Sequence, residues 1–180
     1  MKSMQRIFFI GPMGAGKTTI GRQLAKLLNL DFVDSDHEIE SRTGVNIPTI
    51  FDLEGEEGFR NREQAMIDEL TQRENLVLAT GGGAVLKKEN RENLQQRGIV
   101  VYLQSNIDLL VERTKKDKNR PLLQTGDPRK KFEDIMAVRE PLYLETADLV
   151  INTDKQSIAH TVHLIIDELE KIAQQCPNRE

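Results

Sequence analysis

Arg6-Ile7-Phe8-Phe9-Ile10-Gly11-Pro12-Met13-Gly14-Ala15-Gly16-Lys17-Thr18 runs from unbroken apolar residues into glycines and ends on a lysine–threonine pair. Four residues without a polar interruption, Ile7 to Ile10, predict that Arg6 to Ile10 is a strand buried on both faces, as in the interior of a parallel sheet. Gly11 to Thr18 fits G-x-x-x-x-G-K-[ST] at every fixed position, between that strand and a helical pattern. Such glycines let backbone N–H groups turn inward on phosphate oxygens at a positive helix terminus. Lys17 adds a charge for the outer phosphates, and Thr18 offers a hydroxyl to Mg²⁺. The segment therefore predicts a nucleotide-binding P-loop.

Working outward, Ile20, Leu24, Leu27 and Leu28 recur at the spacing of one helix face. Further short strands are predicted at Asp31–Val33, Leu76–Ala79, Ile99–Leu103 and Leu149–Ile151, with helical patterns between them. Alternation of this kind requires crossover helices on both faces of a sheet. The expected fold is a three-layer α/β/α sandwich around a five-stranded parallel sheet. A last helix is expected from Ser157 to about Gln174, with Ser157 as its cap. Two charged stretches fall outside the core pattern, one at about 35–62 with Pro48 and one at about 113–125 with Lys115-Lys116-Asp117-Lys118-Asn119-Arg120. They are read as covers, an acceptor-side insertion and a lid, within one domain spanning residues 1–180.

Asp34 and Asp36 follow the second strand, at the carboxyl edge where parallel α/β sheets collect ligands. A phosphoryl acceptor needs a carboxylate to take its proton, and Mg²⁺ needs oxygen ligands. Two acids divide those tasks. The same pair serves equally well, on sequence alone, to cap a helix beginning near His37.

Composition bounds what the chain does. Its 180 residues carry a formal net charge of −4, which provides no overall positive field for nucleic acid. The apolar run at Ile7–Ile10 is too short for a signal segment or a membrane span. The single cysteine, Cys176, forms no intrachain disulfide, which fits a reducing cytoplasm. His37, His160 and His163 have no partner at a zinc-ligand spacing.

Taken together, Gly11 to Thr18, Asp34-Ser35-Asp36, Gly58-Phe59-Arg60 with Glu63, Thr80-Gly81-Gly82-Gly83, Arg120-Pro121-Leu122 and Arg139-Glu140-Pro141-Leu142-Tyr143 resemble the shikimate kinase family in order and spacing. The likeness extends from about Ile7 to Leu169. It implies transfer of the γ-phosphoryl group of ATP to the 3-hydroxyl of shikimate, with Mg²⁺, by a monomer that binds neither nucleic acid nor membrane. By the same resemblance ATP is contacted by Gly14, Ala15, Gly16, Lys17, Thr18 and Thr19, with Arg113 and Gln156 bordering the adenine. Asp36 is implied as general base, and Arg60, Gly82 and Arg139 as further shikimate contacts. Arg120 is implied as a lid arginine that acts on the transferring group beside Lys17. The metal is assigned to Thr18 and Asp34, because Val77-Leu78-Ala79-Thr80 ends the third strand without the acid that many P-loop proteins keep there; Thr80 is left as an indirect contact.

Two rivals share parts of this pattern. A gluconate or nucleoside monophosphate kinase has the same cradle and lid, and guanidinium forks bind phosphate as well as carboxylate. A nucleotide switch is suggested by the D-x-x-G of Asp52-Leu53-Glu54-Gly55, but Asn152-Thr153-Asp154-Lys155 does not spell the N-K-x-D guanine reader.

Overall fold

The computed structural model describes residues 5–115 and 126–175. Five parallel strands, β1 Arg6–Ile10, β2 Asp31–Asp34, β3 Leu76–Ala79, β4 Ile99–Gln104 and β5 Leu149–Asn152, form one sheet in the order β2-β3-β1-β4-β5. The predicted strands are all present, three of them one residue longer than expected. β1 lies in the middle of the sheet, which explains its unbroken apolar run: Ile7 and Phe9 enter one core while Phe8 and Ile10 enter the other.

On the first face pack helices α1 Lys17–Leu28 and α7 Ile158–Gln175, through Ile20, Leu24, Val162, Ile165 and Leu169. Leu27 departs from its expected place on the apolar face of α1 and is 54% exposed. It sits about 100° around the helix from Leu28, turned off the stripe that meets the sheet. Ser157 accepts a hydrogen bond from the His160 N–H at 3.2 Å and so caps α7 as expected.

On the second face lie α2 Ser35–Thr43, α3 Ile47–Leu70, a short 3₁₀ turn at Ala84–Leu86 and α4 Lys88–Arg97. Helices α5 Ile107–Thr114 and α6 Pro128–Thr146 complete the set, with Leu110 and Phe132 in the first core and Met136 and Tyr143 in the second.

Residues 35–62, expected outside the core pattern, instead form α2 and much of α3 and bury Ile39, Ile50 and Phe59 in the second core. High charge hid this, because the outer faces carry ion pairs such as Arg62 with Glu54 and Arg42 with Glu38 and Glu69. The expected lid is described only up to Lys115. Arg120, the Arg120-Pro121-Leu122 motif and Cys176 lie outside the described residues.

α3 is not one straight rod. Gly55 interrupts it at φ 70°, ψ −178°, a region that only glycine enters without strain. Phe51 and Phe59 pack across the break with ring centroids 5.0 Å apart. Open space surrounds the Gly55 Cα, so a methyl group there meets no neighbour and only the backbone conformation is penalised. Gly55→Ala is expected to lower stability by about 1–3 kcal/mol, read as a reduced urea midpoint with an unchanged slope. An unchanged midpoint would mean that the chain straightens here at no cost.

Candidate active site

The carboxyl ends of β1, β2 and β3 lie side by side, because Phe9 and Asp34 both stand level with Ala79 in the parallel register. The loops that follow therefore converge on one edge of the sheet. After β1 the chain turns through Gly11, Gly14 and Gly16 at φ of 140°, 83° and 96°, and α1 then begins without a side-chain cap. An uncapped first turn leaves N–H donors and the positive helix end directed into the cleft. The Lys17 ammonium is held across the loop, donating to the carbonyls of Gly11 at 2.6 Å and Pro12 at 2.8 Å.

Asp34 resolves the two readings of the acidic pair by doing both jobs with different oxygens. Its Oδ1 accepts from the Asp36 N–H at 3.0 Å and the His37 N–H at 3.3 Å, which makes it the N-cap of α2; the helix starts at Ser35, two residues before the expected point. Its Oδ2 accepts from the Thr18 hydroxyl at 2.6 Å. The cap thus fixes a carboxylate beside the cradle. Asp36, in the first turn of α2, lines a cavity of about 340 Å³ together with Lys17, Thr18, Thr19, Asp34 and Gly82. Thr80 reaches this cavity too, but its hydroxyl donates to the Phe9 carbonyl at 2.9 Å and so serves the sheet.

A second cavity of about 190 Å³ continues on the other side of the loop, lined by Gly14, Ala15, Thr19, Arg113, Gln156 and Ile158 among others. Arg113 donates to the Gly14 carbonyl at 3.1 Å. The Gln156 Oε1 is buried there without a hydrogen-bond partner among the described residues.

Of the three glycines after β3, two are required by buried side chains and the middle one leaves ordinary contact distance. A Cβ at Gly81 would stand 2.7 Å from both Asp36 Oδ1 and Glu63 Oε1, and one at Gly83 would lie 2.3–2.4 Å from the Arg60 guanidinium. At Gly82 it would meet the Arg139 guanidinium at 3.5 Å and the Met13 N–H nitrogen at 3.4 Å. Arg60 and Arg139 are both buried, so α3 and α6 deliver two cations under one glycine turn.

Buried charge must be compensated. Glu63, quoted in its motif but given no role from the sequence, does this. It is fully buried and accepts from Arg60 at 2.7 Å. Burial pushes its carboxyl group up from the usual range, opposed by Arg60 and Arg139. Burial also works against the Arg60 charge, but Glu63 and Glu56 outweigh it and hold the guanidinium protonated. The signal available in the sequence was the i,i+3 spacing of Arg60 and Glu63; what it lacked was evidence that the pair is buried.

The family model for shikimate kinase matches residues 13–170. The chain belongs to the shikimate kinase family. A shikimate kinase of Pasteurella multocida is 56% identical over 173 residues, covering 96% of this chain and 99% of that protein. A solved shikimate kinase from Acinetobacter baumannii, in complex with shikimate, superposes with a TM-score of 0.91 at 52% identity, covering 92% of this chain and 93% of that one. A gluconokinase from Sinorhizobium meliloti, at a TM-score of 0.59 and 16% identity, is alike in fold alone. In this shikimate kinase family member the five-stranded parallel sheet and its P-loop are thus those of the family.

The contacts around the glycine turn make a graded forecast. Gly83→Ala is expected to break the buried Arg60–Glu63 pair and cost about 3–5 kcal/mol of stability. Gly82→Ala, whose methyl group would meet tighter but not overlapping neighbours, is expected to cost under about 1.5 kcal/mol. Denaturant midpoints of the two variants check the order, and equal losses would contradict it.

Proposed function

We propose that the cradle from Gly14 to Thr19 holds the phosphates of ATP, that Asp36 receives the proton of the acceptor hydroxyl, and that Arg60 and Arg139 grip the acceptor carboxylate. The chain is an ATP-dependent shikimate kinase, acting in chorismate and aromatic amino acid biosynthesis. The observation that carries the residue assignment is the shared cleft: Asp36, Lys17, Thr18 and Gly82 line one cavity, and the buried Arg139 and Arg60 stand against Gly82 and its neighbour Gly83.

In the step so assigned, the shikimate 3-oxygen bonds to the γ-phosphorus as the bond from that phosphorus to the β,γ-bridging oxygen breaks. The hydroxyl proton passes to the Asp36 carboxylate, and the bridging electrons leave with ADP. The protein's part is to align the groups in line and to stabilise charge through Lys17 and the N–H groups opening α1. Thr18 and Asp34, two oxygen donors 2.6 Å apart beside the cradle, suit a hard cation and would hold Mg²⁺, with Asp34 reached directly or through water. When bound, that ion supplies neutralisation of charge on the β- and γ-phosphates. The buried, unpartnered Gln156 oxygen and the Arg113 side chain border the smaller cavity, which suits adenine and its amino donor. The lid role of Arg120 rests on the family resemblance, since that residue lies outside the described ones.

The same reading treats α2 and the first part of α3 as the acceptor-side cover, within a single-domain cytoplasmic monomer. No helix among the described residues is long and apolar enough to cross a membrane. The switch reading is disfavoured because Asp52-Leu53-Glu54-Gly55 lies inside α3 and not in a loop facing the phosphates.

An ADP-release assay with Mg²⁺, ATP and shikimate, gluconate or AMP tests reaction and acceptor together, with rapid turnover expected for shikimate alone. Asp36→Asn, which cannot take the proton, is expected to lower kcat by about 10²–10⁴-fold and leave ATP affinity within about twofold. Normal turnover in that variant would remove Asp36 from the base role.

A further inference from the structure

Tyr143 is fully buried, yet its hydroxyl ends at the site. It donates to the Gly82 carbonyl at 2.5 Å, and the Arg139 guanidinium, one turn earlier on α6, stands against the same glycine, 3.5 Å from where a Cβ would lie. The ring itself is locked: it stacks on Tyr102 of β4 with centroids 5.0 Å apart and planes 28° from parallel. A core position in need only of volume would be filled as well by phenylalanine, and a buried phenol without partners is costly.

The partners are directional. The phenol has one proton, and the short bond to Gly82 takes it, so the remaining lone pairs can only accept, which suits the nearby guanidinium, a group that can only donate. Burial pushes the hydroxyl up to about 12, so it keeps that proton throughout the neutral range. Arg139 is a long, rotamer-rich side chain, and a bidentate grip needs its fork held in one plane.

We propose that Tyr143 is a positioning residue for shikimate, tying down the Gly82 backbone beside the Arg139 fork so that the carboxylate grip and the turn that faces the acceptor ring keep one spacing. This rests on the reading of Arg139 as part of that grip. The selectivity follows: the tie acts on the acceptor's carboxylate end and touches neither the cradle nor Asp36.

The test is steady-state kinetics of Tyr143→Phe, which keeps the ring and its stack, beside Arg139→Lys, the double variant, and Tyr102→Phe as a packing control. For Tyr143→Phe the KM for shikimate is expected to rise about tenfold, the scale of one buried hydrogen bond, with the KM for ATP within about twofold of the parent. Arg139→Lys is expected to raise the shikimate KM by at least as much, the double variant by clearly less than the product of the two, and Tyr102→Phe not at all. If Arg139→Lys raises the shikimate KM while Tyr143→Phe does not, Tyr143 only fills the core and the proposal is overturned. Fully multiplicative effects, or an equal rise in Tyr102→Phe, overturn it as well. If Arg139→Lys leaves the shikimate KM unchanged, the grip lies elsewhere, and the reading of Arg139 falls together with the tie built on it.

Discussion

Parallel register across β2, β3 and β1 is the constraint on which the site depends. It sets Asp34, Ala79 and Phe9 in one row, so three loops with no sequence proximity must leave the sheet at the same edge. The phosphate cradle, the acidic pair and the triple-glycine turn each follow one of those strands. A register shift of one residue would turn each side chain of β1 to the opposite face, exchanging the residues that enter the two cores. The apolar cores therefore stabilise the fold and fix the alignment of the polar groups above it.

Around that edge the structure economises on charge. Two buried arginines approach under one turn, where desolvation would be prohibitive without compensation, and Glu63 supplies it from the same helix as Arg60. Gly81 and Gly83 are the steric counterpart of the same arrangement, since a Cβ at either would collide with the carboxylates or displace a guanidinium. Asp34 likewise joins a structural task to a chemical one, capping α2 with one oxygen and meeting Thr18 with the other. Catalytic and folding roles are carried here by the same contacts, so a change at either tends to register in both.

Local chemistry was enough to read the strands, the cradle and the helix cap at Ser157, because each depends on residues adjacent in the chain: an unbroken apolar run, glycines at fixed spacing, a hydroxyl before a helix. The combined motifs also named Lys17, Thr18, Thr19, Asp34, Asp36 and Gly82, which line the larger cavity, whereas Arg60 and Arg139 stand against the glycine turn. Residues 35–62 were misread as lying outside the core because their charges dominate the composition, whereas Ile39, Ile50 and Phe59 are spaced too irregularly, across the break at Gly55, to give one helical period.

By itself, then, the amino-acid sequence determined that a P-loop motif follows the first strand and that the sheet is parallel with helices on both faces, since short-range spacing carries that information. Only the tertiary structure decided which oxygen of Asp34 caps and which meets Thr18, that Glu63 is the buried counter-charge, and that the Tyr143 hydroxyl meets the Gly82 carbonyl. Those outcomes depend on burial and on contacts between residues as much as 61 positions apart, which no local pattern encodes.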